Sequence, residues 1–150
     1  MRGRIDRQPQ LFYTLDLEQL VPADHPLRPI KRRVDAELAA MEPDFAAAYS
    51  AVGRPSIPPQ ALIKATLLQV LYSIRSERAL CEQIRYNMLF RWFLDLSPEA
   101  AVWDHSSFTT NRERFARHDL LGRFFRGSVA QGIAEGRVSS EHLSIDGTLI

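Results

Sequence analysis

The sequence predicts a mainly α fold, a compact multi-helix domain of about six helices with a single β-strand at its C-terminal end. Three observations predict it. Apolar residues recur at helical spacing along most of the chain, most densely between Gly53 and Leu96. Prolines and capping residues stand where such helices would begin, as at Pro58-Pro59, Ser76 and Asp104. Only the run from Leu143 to Ile150 reads as a strand. The expected division is a helical domain over residues 1–137 and a strand-bearing segment over 138–150.

The first fourteen residues show no period and read as an arm. Asp16 to Val21 makes one or two helical turns, stopped by Pro22. Leu27-Arg28-Pro29 begins a helix on which Ile30, Val34, Leu38 and Met41 share a face. Lys31, Arg32 and Arg33 fall near its start, on or beside the outer face, where an anionic neighbour such as DNA phosphate or, in the more ordinary reading, Asp35 and Glu37 would offset them. Phe45 to Tyr49 reads as a short turn of helix ahead of the turn Gly53-Arg54-Pro55.

Pro58-Pro59 then sets a helix carrying Ile63, Leu67, Val70, Leu71 and Ile74 on one side, with Leu62 and Leu68 on others. Apolar on several sides, it is expected to be buried. Ser76 caps a second helix, placing Leu80, Cys81, Ile84 and Met88 inward and Arg78, Glu82 and Arg85 outward. A third, short helix brings Leu89, Trp92, Phe93 and Leu96 into register and ends at Ser97-Pro98. Asp104 to Ser107, rich in capping residues, opens a helix to about Arg117, and Leu121, Phe125, Val129 and Ile133 define a last long helix. Phe124 lies beside that row, Arg123 and Arg126 point to solvent, and Gly136 stops the helix.

A chain of 150 residues, 45% hydrophobic and 25% charged, suits one soluble globular domain with a real core. A lone cysteine, Cys81, cannot form an internal disulfide and is expected to be a small buried hydrophobe. No apolar run approaches the roughly 18 residues of a membrane span, and the basic start at Met1 has no apolar segment behind it. A cytoplasmic address without membrane contact is the expectation. Net charge is only +1, yet seventeen of the nineteen basic residues are Arg. Arginine suits bidentate contacts with phosphate or guanine, and a GC-rich genome also favours it.

The helix from Ser107 to Arg117 carries the most suggestive polar face. Phe108 and Phe115 anchor one side. At 100° per residue, Ser107, Thr110, Asn111, Arg114 and Arg117 fall together within about 120° of arc on another. Apolar anchors opposite a Ser/Thr/Asn/Arg face suit a helix that reads DNA, and such residues also make ordinary helix surfaces. Arg112 and, from the earlier turn, Arg54 complete the DNA-binding candidates.

Several runs, taken in order, are similar to bacterial insertion-sequence transposases of the DDE type. They begin with Met1-Arg2-Gly3-Arg4, Gln8-Pro9-Gln10-Leu11-Phe12 and Val21-Pro22-Ala23-Asp24-His25-Pro26-Leu27-Arg28, then Gly53-Arg54-Pro55-Ser56. They continue with Leu71-Tyr72-Ser73-Ile74-Arg75-Ser76-Glu77-Arg78 and Phe90-Arg91-Trp92-Phe93-Leu94-Asp95-Leu96. Ser107-Phe108-Thr109-Thr110-Asn111-Arg112-Glu113-Arg114 and Ile145-Asp146-Gly147-Thr148-Leu149-Ile150 complete the set. Each run is weak alone; the ordered set, spanning essentially the whole chain, is specific.

The resemblance implies that the helical part binds the double-stranded ends of a mobile element. It also implies that Asp146 is the first of three acidic metal ligands on the first strand of an RNase H-like fold. The other two, an Asp and a Glu, belong to segments after Ile150. Two divalent ions about 3.5–4 Å apart activate the nucleophile and stabilise the leaving oxygen in phosphodiester cleavage and strand transfer. Mg²⁺ is therefore expected only in a full-length context. The chain by itself, with Asp146 alone, is expected neither to cleave nor to join DNA. Asp16, Asp24, Asp95 and Asp104 stand at helix boundaries, where capping accounts for them.

Two further readings compete. One is a helical interaction module, a dimerisation part that forms a homodimer or pairs with full-length transposase and inhibits it. The other is an enzyme using His105, His118, His142 and Asp146 as metal ligands. No His pair has i, i+4 spacing or stands in an H-E-x-x-H pattern, so this is the weakest of the three.

Overall fold

Local signals place most of the helices. The computed structural model describes residues 14–49 and 56–137, and eight helices lie within them. They are α1 (Leu17–Leu20), α2 (Leu27–Ala40), α3 (Glu42–Ala48), α4 (Pro59–Leu71), α5 (Glu77–Tyr86), α6 (Met88–Phe93), α7 (Ser106–Arg117) and α8 (Leu120–Ala134). The architecture is mainly α, and the two helices beyond six are short pieces, α1 and α3, at the places read as turns. The N-terminal arm, the Arg54 turn and the strand with Asp146 lie outside the described residues.

Caps define the boundaries. Asp16 accepts from Glu18 N at 2.9 Å to start α1, and Ser76 accepts from Ala79 N at 3.1 Å to start α5. Asn87 accepts from Leu89 N and Phe90 N. That cap ends α5 at Tyr86 and makes Met88 the first residue of α6, not the last inward residue of α5 as the spacing suggested. Gly136 adopts φ +67 beyond α8, with Gly136 N bonding Ile133 O and Arg137 N bonding Gly132 O, a Schellman ending. The same pair of bonds ends α4 at Ser73 and α6 at Asp95, both non-glycine residues with positive φ.

One hydrophobic core joins these helices. Ala61 to Ala65 and Leu68 of α4 are buried, as are Leu80, Cys81 and Ile84 of α5 and the run Phe90 to Leu94 around α6. Val34 and Leu38 of α2, Met41, and Phe45 of α3 close one side; Phe108, Phe115 and Leu120 close another. α6 packs against α1 and α5, α2 against α3 and α8, α4 against α5, and α7 against α8.

Two apolar faces differ from expectation. Only the N-terminal part of α4 is enclosed: Leu67 is half-buried, Val70 is 71% exposed and Leu71 is 45% exposed. Among the described residues no helix covers that last turn before the chain reverses at Ser73. On α8, the row expected inside is largely outside, with Leu121, Phe125 and Ile133 exposed. Leu120, Phe124 and Gly127 face the rest of the molecule instead, a rotation of roughly 140° at 100° per residue. Gly127 faces α2, where the Glu37 carboxylate occupies the space a side chain would take, and Glu37 Oε2 accepts from Gln131 Nε2 at 2.9 Å.

Candidate nucleic-acid interface

Most of the charges near α2 are paired with one another. Lys31 reaches Asp35 at 2.9 Å and Asp95 at 2.6 Å, and Lys64, buried on α4, bridges to both carboxylates. Asp95 ends α6 through its backbone, and its side chain, instead of capping a helix N-terminus, joins α2 to α4 through two ammonium groups. Burial raises its carboxyl, but the hydrogen bonds from Lys31 and Lys64 outweigh this and hold it below the usual carboxylate range. For Lys31, burial works against the charged form, and bonds to Asp95 and Asp35 prevail to raise it. Beside them the Arg28 guanidinium and Lys31 ammonium lie over the Trp92 ring at 5.2 and 5.8 Å. Trp92 Nε1 donates to Glu18 at 2.6 Å, and Glu18 also pairs with Arg28. Arg33 pairs with Glu135.

Arg91 is spent in the same way. Although charged, it is 4% exposed. Its guanidinium donates to the carbonyls of Arg85, Ser97 and Ala100 at 2.7–3.3 Å, tying the C-terminal end of α5 to the loop that leads toward α7. A cation at that end also suits the helix dipole.

The α7 residues expected to read DNA are divided. Asn111, expected on an outer face, is buried between the two phenylalanine anchors at 7% exposure. Its Nδ2 donates to Ser107 O at 2.8 Å, while its Oδ1 accepts from Tyr49 at 3.2 Å and Arg114 at 3.1 Å. Arg114 also stacks on the Tyr49 ring at 4.4 Å. Ser107 is half-buried, and exposed Thr110 bonds back to Ser106 O. Arg112 and Arg117 are exposed but paired, with Glu77 and Glu113 at 2.7 and 2.8 Å. The structure thus brings Ser107, Asn111 and Arg114 together as an internal network and leaves Thr110, Arg112 and Arg117 on the surface. Arg54 and Asp146 fall outside the described residues.

A different surface carries cations without acidic partners. Arg75, Arg78 and Arg85, in and just before α5, are exposed, and no carboxylate of the described residues lies within ion-pair distance. Arg75 and Arg112 border one groove of about 630 Å³ between α4, α7 and α8. Arg78, Glu82, Arg85, Tyr86 and His105 border another of about 450 Å³ between α5 and the start of α7. Sequence reading placed Arg78 and Arg85 outside but gave them no role. The signal was present in their spacing, seven residues apart on one helix face.

Among the described residues no group of three or more His, Cys, Asp or Glu converges where it could hold a metal ion, and no helix is long and apolar enough to cross a membrane. Comparison with curated proteins and with solved structures finds no match. A family model described as Transposase domain (DUF772) matches residues 15–114, two thirds of the chain and every helix from α1 through most of α7. The chain belongs to that transposase domain family.

Proposed function

We propose that this chain is the DNA-binding portion of a DDE-type transposase, recognising the double-stranded ends of an insertion sequence in DNA transposition. The family match carries the reading. The exposed arginines of α5 and α7 support it, because duplex DNA offers the phosphates and guanine edges that arginine binds. On α7 only Thr110, Arg112 and Arg117 remain exposed as candidates for contact, and Arg54 remains a candidate from outside the described residues. Asn111, Arg114 and Ser107 serve by fixing the helix.

In this reading residues 1–137 are the DNA-binding part and 138–150 begin the catalytic part, with Asp146 as its first acidic ligand. Mg²⁺ binding belongs to the complete catalytic fold; the described residues offer no seat for it, so no chemical step is assigned to them. The experiment is a competition between a duplex carrying the terminal repeats that flank the gene and a shuffled duplex. Tighter binding to the repeats at matched salt supports the function; equal binding to both removes end recognition.

A second reading has its own observation. Leu121, at 41%, Phe125, at 55%, and Ile133, at 39% exposure, form an apolar row along the outside of α8. Such a row suits pairing with another copy or with a full-length transposase. Sedimentation of the chain and of Phe125→Glu distinguishes this: a dimer lost in the variant favours the interaction module, and a monomer at all concentrations dismisses self-pairing.

A further inference from the structure

We propose that α5 is the helix that lies in the DNA groove, presenting Arg78 and Arg85 to duplex DNA while α7 stands behind it as a brace. The proposal rests on the DNA-binding reading above and names the element that performs it.

The first support is chemical availability. An arginine already paired with a carboxylate must break that pair before it can neutralise phosphate. Arg112 and Arg117 are so paired, and Arg114 is stacked on Tyr49 and bonded to Asn111. Arg75, Arg78 and Arg85 have no such partner among the described residues and are exposed. Arg32, on α2, is the other exposed cation of that kind, alone on its helix.

The second support is the face. At 100° per residue, Arg85, Arg78, Glu82 and Tyr86 fall within about 100° of arc, opposite buried Leu80, Cys81 and Ile84. Arg78 and Arg85 are separated by about 10 Å along the axis at 1.5 Å per residue, close to three base-pair steps of about 3.4 Å. Tyr86 is 69% exposed beside them. Glu82 is the one carboxylate on this face, and a carboxylate can accept from a cytosine amino group in the major groove. Asp104, which borders the same groove, is occupied at the start of α7, where its carboxylate accepts from Ser106 N at 2.9 Å.

The third support is mounting. α4, the five-residue connection 72–76 and α5 form a helix–turn–helix succession in which α5 buries Leu80, Cys81 and Ile84 and leaves Arg78, Glu82, Arg85 and Tyr86 exposed. In helix-turn-helix proteins the second helix occupies the major groove, which at about 12 Å admits one helix. Both ends of α5 are fastened: Arg112 of α7 pairs with Glu77 at its start, and Arg91 holds the Arg85 carbonyl at its end. A helix fixed at both ends has little orientational freedom left to lose on binding.

The test measures binding of the full chain to a fluorescein-labelled duplex of mixed sequence across a salt series. It compares the unaltered protein with Arg78→Ala/Arg85→Ala, Arg78→Lys/Arg85→Lys and Arg112→Ala/Arg117→Ala, with helical circular dichroism confirming that each is folded. Each phosphate contact contributes about −0.9 to the slope of log K against log salt. The α5 alanine pair is expected to flatten that slope by about 2 and the α7 pair to change it less, while the lysine pair, which keeps the charge, restores it. A slope unchanged by the α5 alanine pair, or flattened only by the α7 pair, overturns the assignment to α5 and leaves DNA binding standing. No binding by the unaltered protein at any salt overturns the DNA-binding reading itself, and this proposal with it.

Discussion

The side of the molecule formed by α2, α4 and α6 and the side formed by α5 carry similar side chains with opposite fates. On the first side, Arg28, Lys31, Lys64 and Arg91 are committed to carboxylates, carbonyls or the Trp92 ring, and Arg32 alone is exposed without a partner among the described residues. On the second, Arg75, Arg78 and Arg85 meet no acid among the described residues. The difference is one of partnership, not of charge. A cation enclosed with its partners has already exchanged water for protein and has nothing left to offer a ligand. An exposed, unpaired one keeps its full electrostatic reach.

The largest expected effect attacks the committed side. Asp35→Ala with Asp95→Ala strands the Lys64 ammonium, 4% exposed, without either carboxylate. Breaking a buried pair costs about 3–5 kcal/mol, and the exposure of the two aspartates, 39% and 61%, places this one near the low end. Urea unfolding checks it; a midpoint unmoved in the double variant shows that Lys64 needs no partner.

Next comes α7, which resembles the committed side more than it resembles α5. Asn111→Leu removes the partner of Tyr49, Arg114 and the Ser107 carbonyl at once. Leaving such groups unsatisfied costs roughly 1–3 kcal/mol. Thermal unfolding reads the loss, and a variant as stable as the parent contradicts an internal role for Asn111.

A smaller, pH-dependent effect separates the two sides further. Because Asp95 is held below its ordinary carboxylate value, its contribution is present above the unfolded pKa of about 3.9 and is lost as pH falls through the lower folded value. The stability gap between the parent and Asp95→Asn is therefore expected to be constant near neutrality and to close on acidification below about pH 4. Lys31, raised, contributes below about pH 10.4 and loses that contribution as pH rises through its higher folded value. A gap that widens in acid would reverse the sign assigned to the clasp.

The smallest effect belongs to α5. Arg78→Ala and Arg85→Ala remove exposed groups with no acidic partner among the described residues and are expected to shift stability by no more than about 0.5 kcal/mol. Calorimetry of the double variant checks this; a large loss of stability would mean that these arginines, too, hold the fold together.

The helices were legible because their signals are local. Asp16 and Ser76 cap where a short polar acceptor reaches an unpaired backbone N–H, and Gly136 ends α8 because it tolerates φ +67. Leu80, Cys81 and Ile84 are inward because that face of α5 has no competing apolar row. On α8 two rows compete, and nothing within the helix ranks Leu121, Phe125 and Ile133 below Leu120 and Phe124. The α7 face was read as outward because Asn111 and Arg114 are polar, and polarity decides burial only until a partner such as Tyr49, 62 residues away in the chain, satisfies it.

By itself the sequence determined the mainly helical class, most of the helix boundaries, and kinship with transposases through ordered motifs that the family match over residues 15–114 bears out. Tertiary structure alone decided which way α8 turns, that the Asp95 side chain clasps two lysines, and which arginines lack an acidic partner among the described residues. The reason is range: caps and periodicity act within a turn or two of one helix. Rotation and pairing depend instead on Glu37 meeting Gly127, or Lys64 meeting Asp95, which only the packed chain brings together.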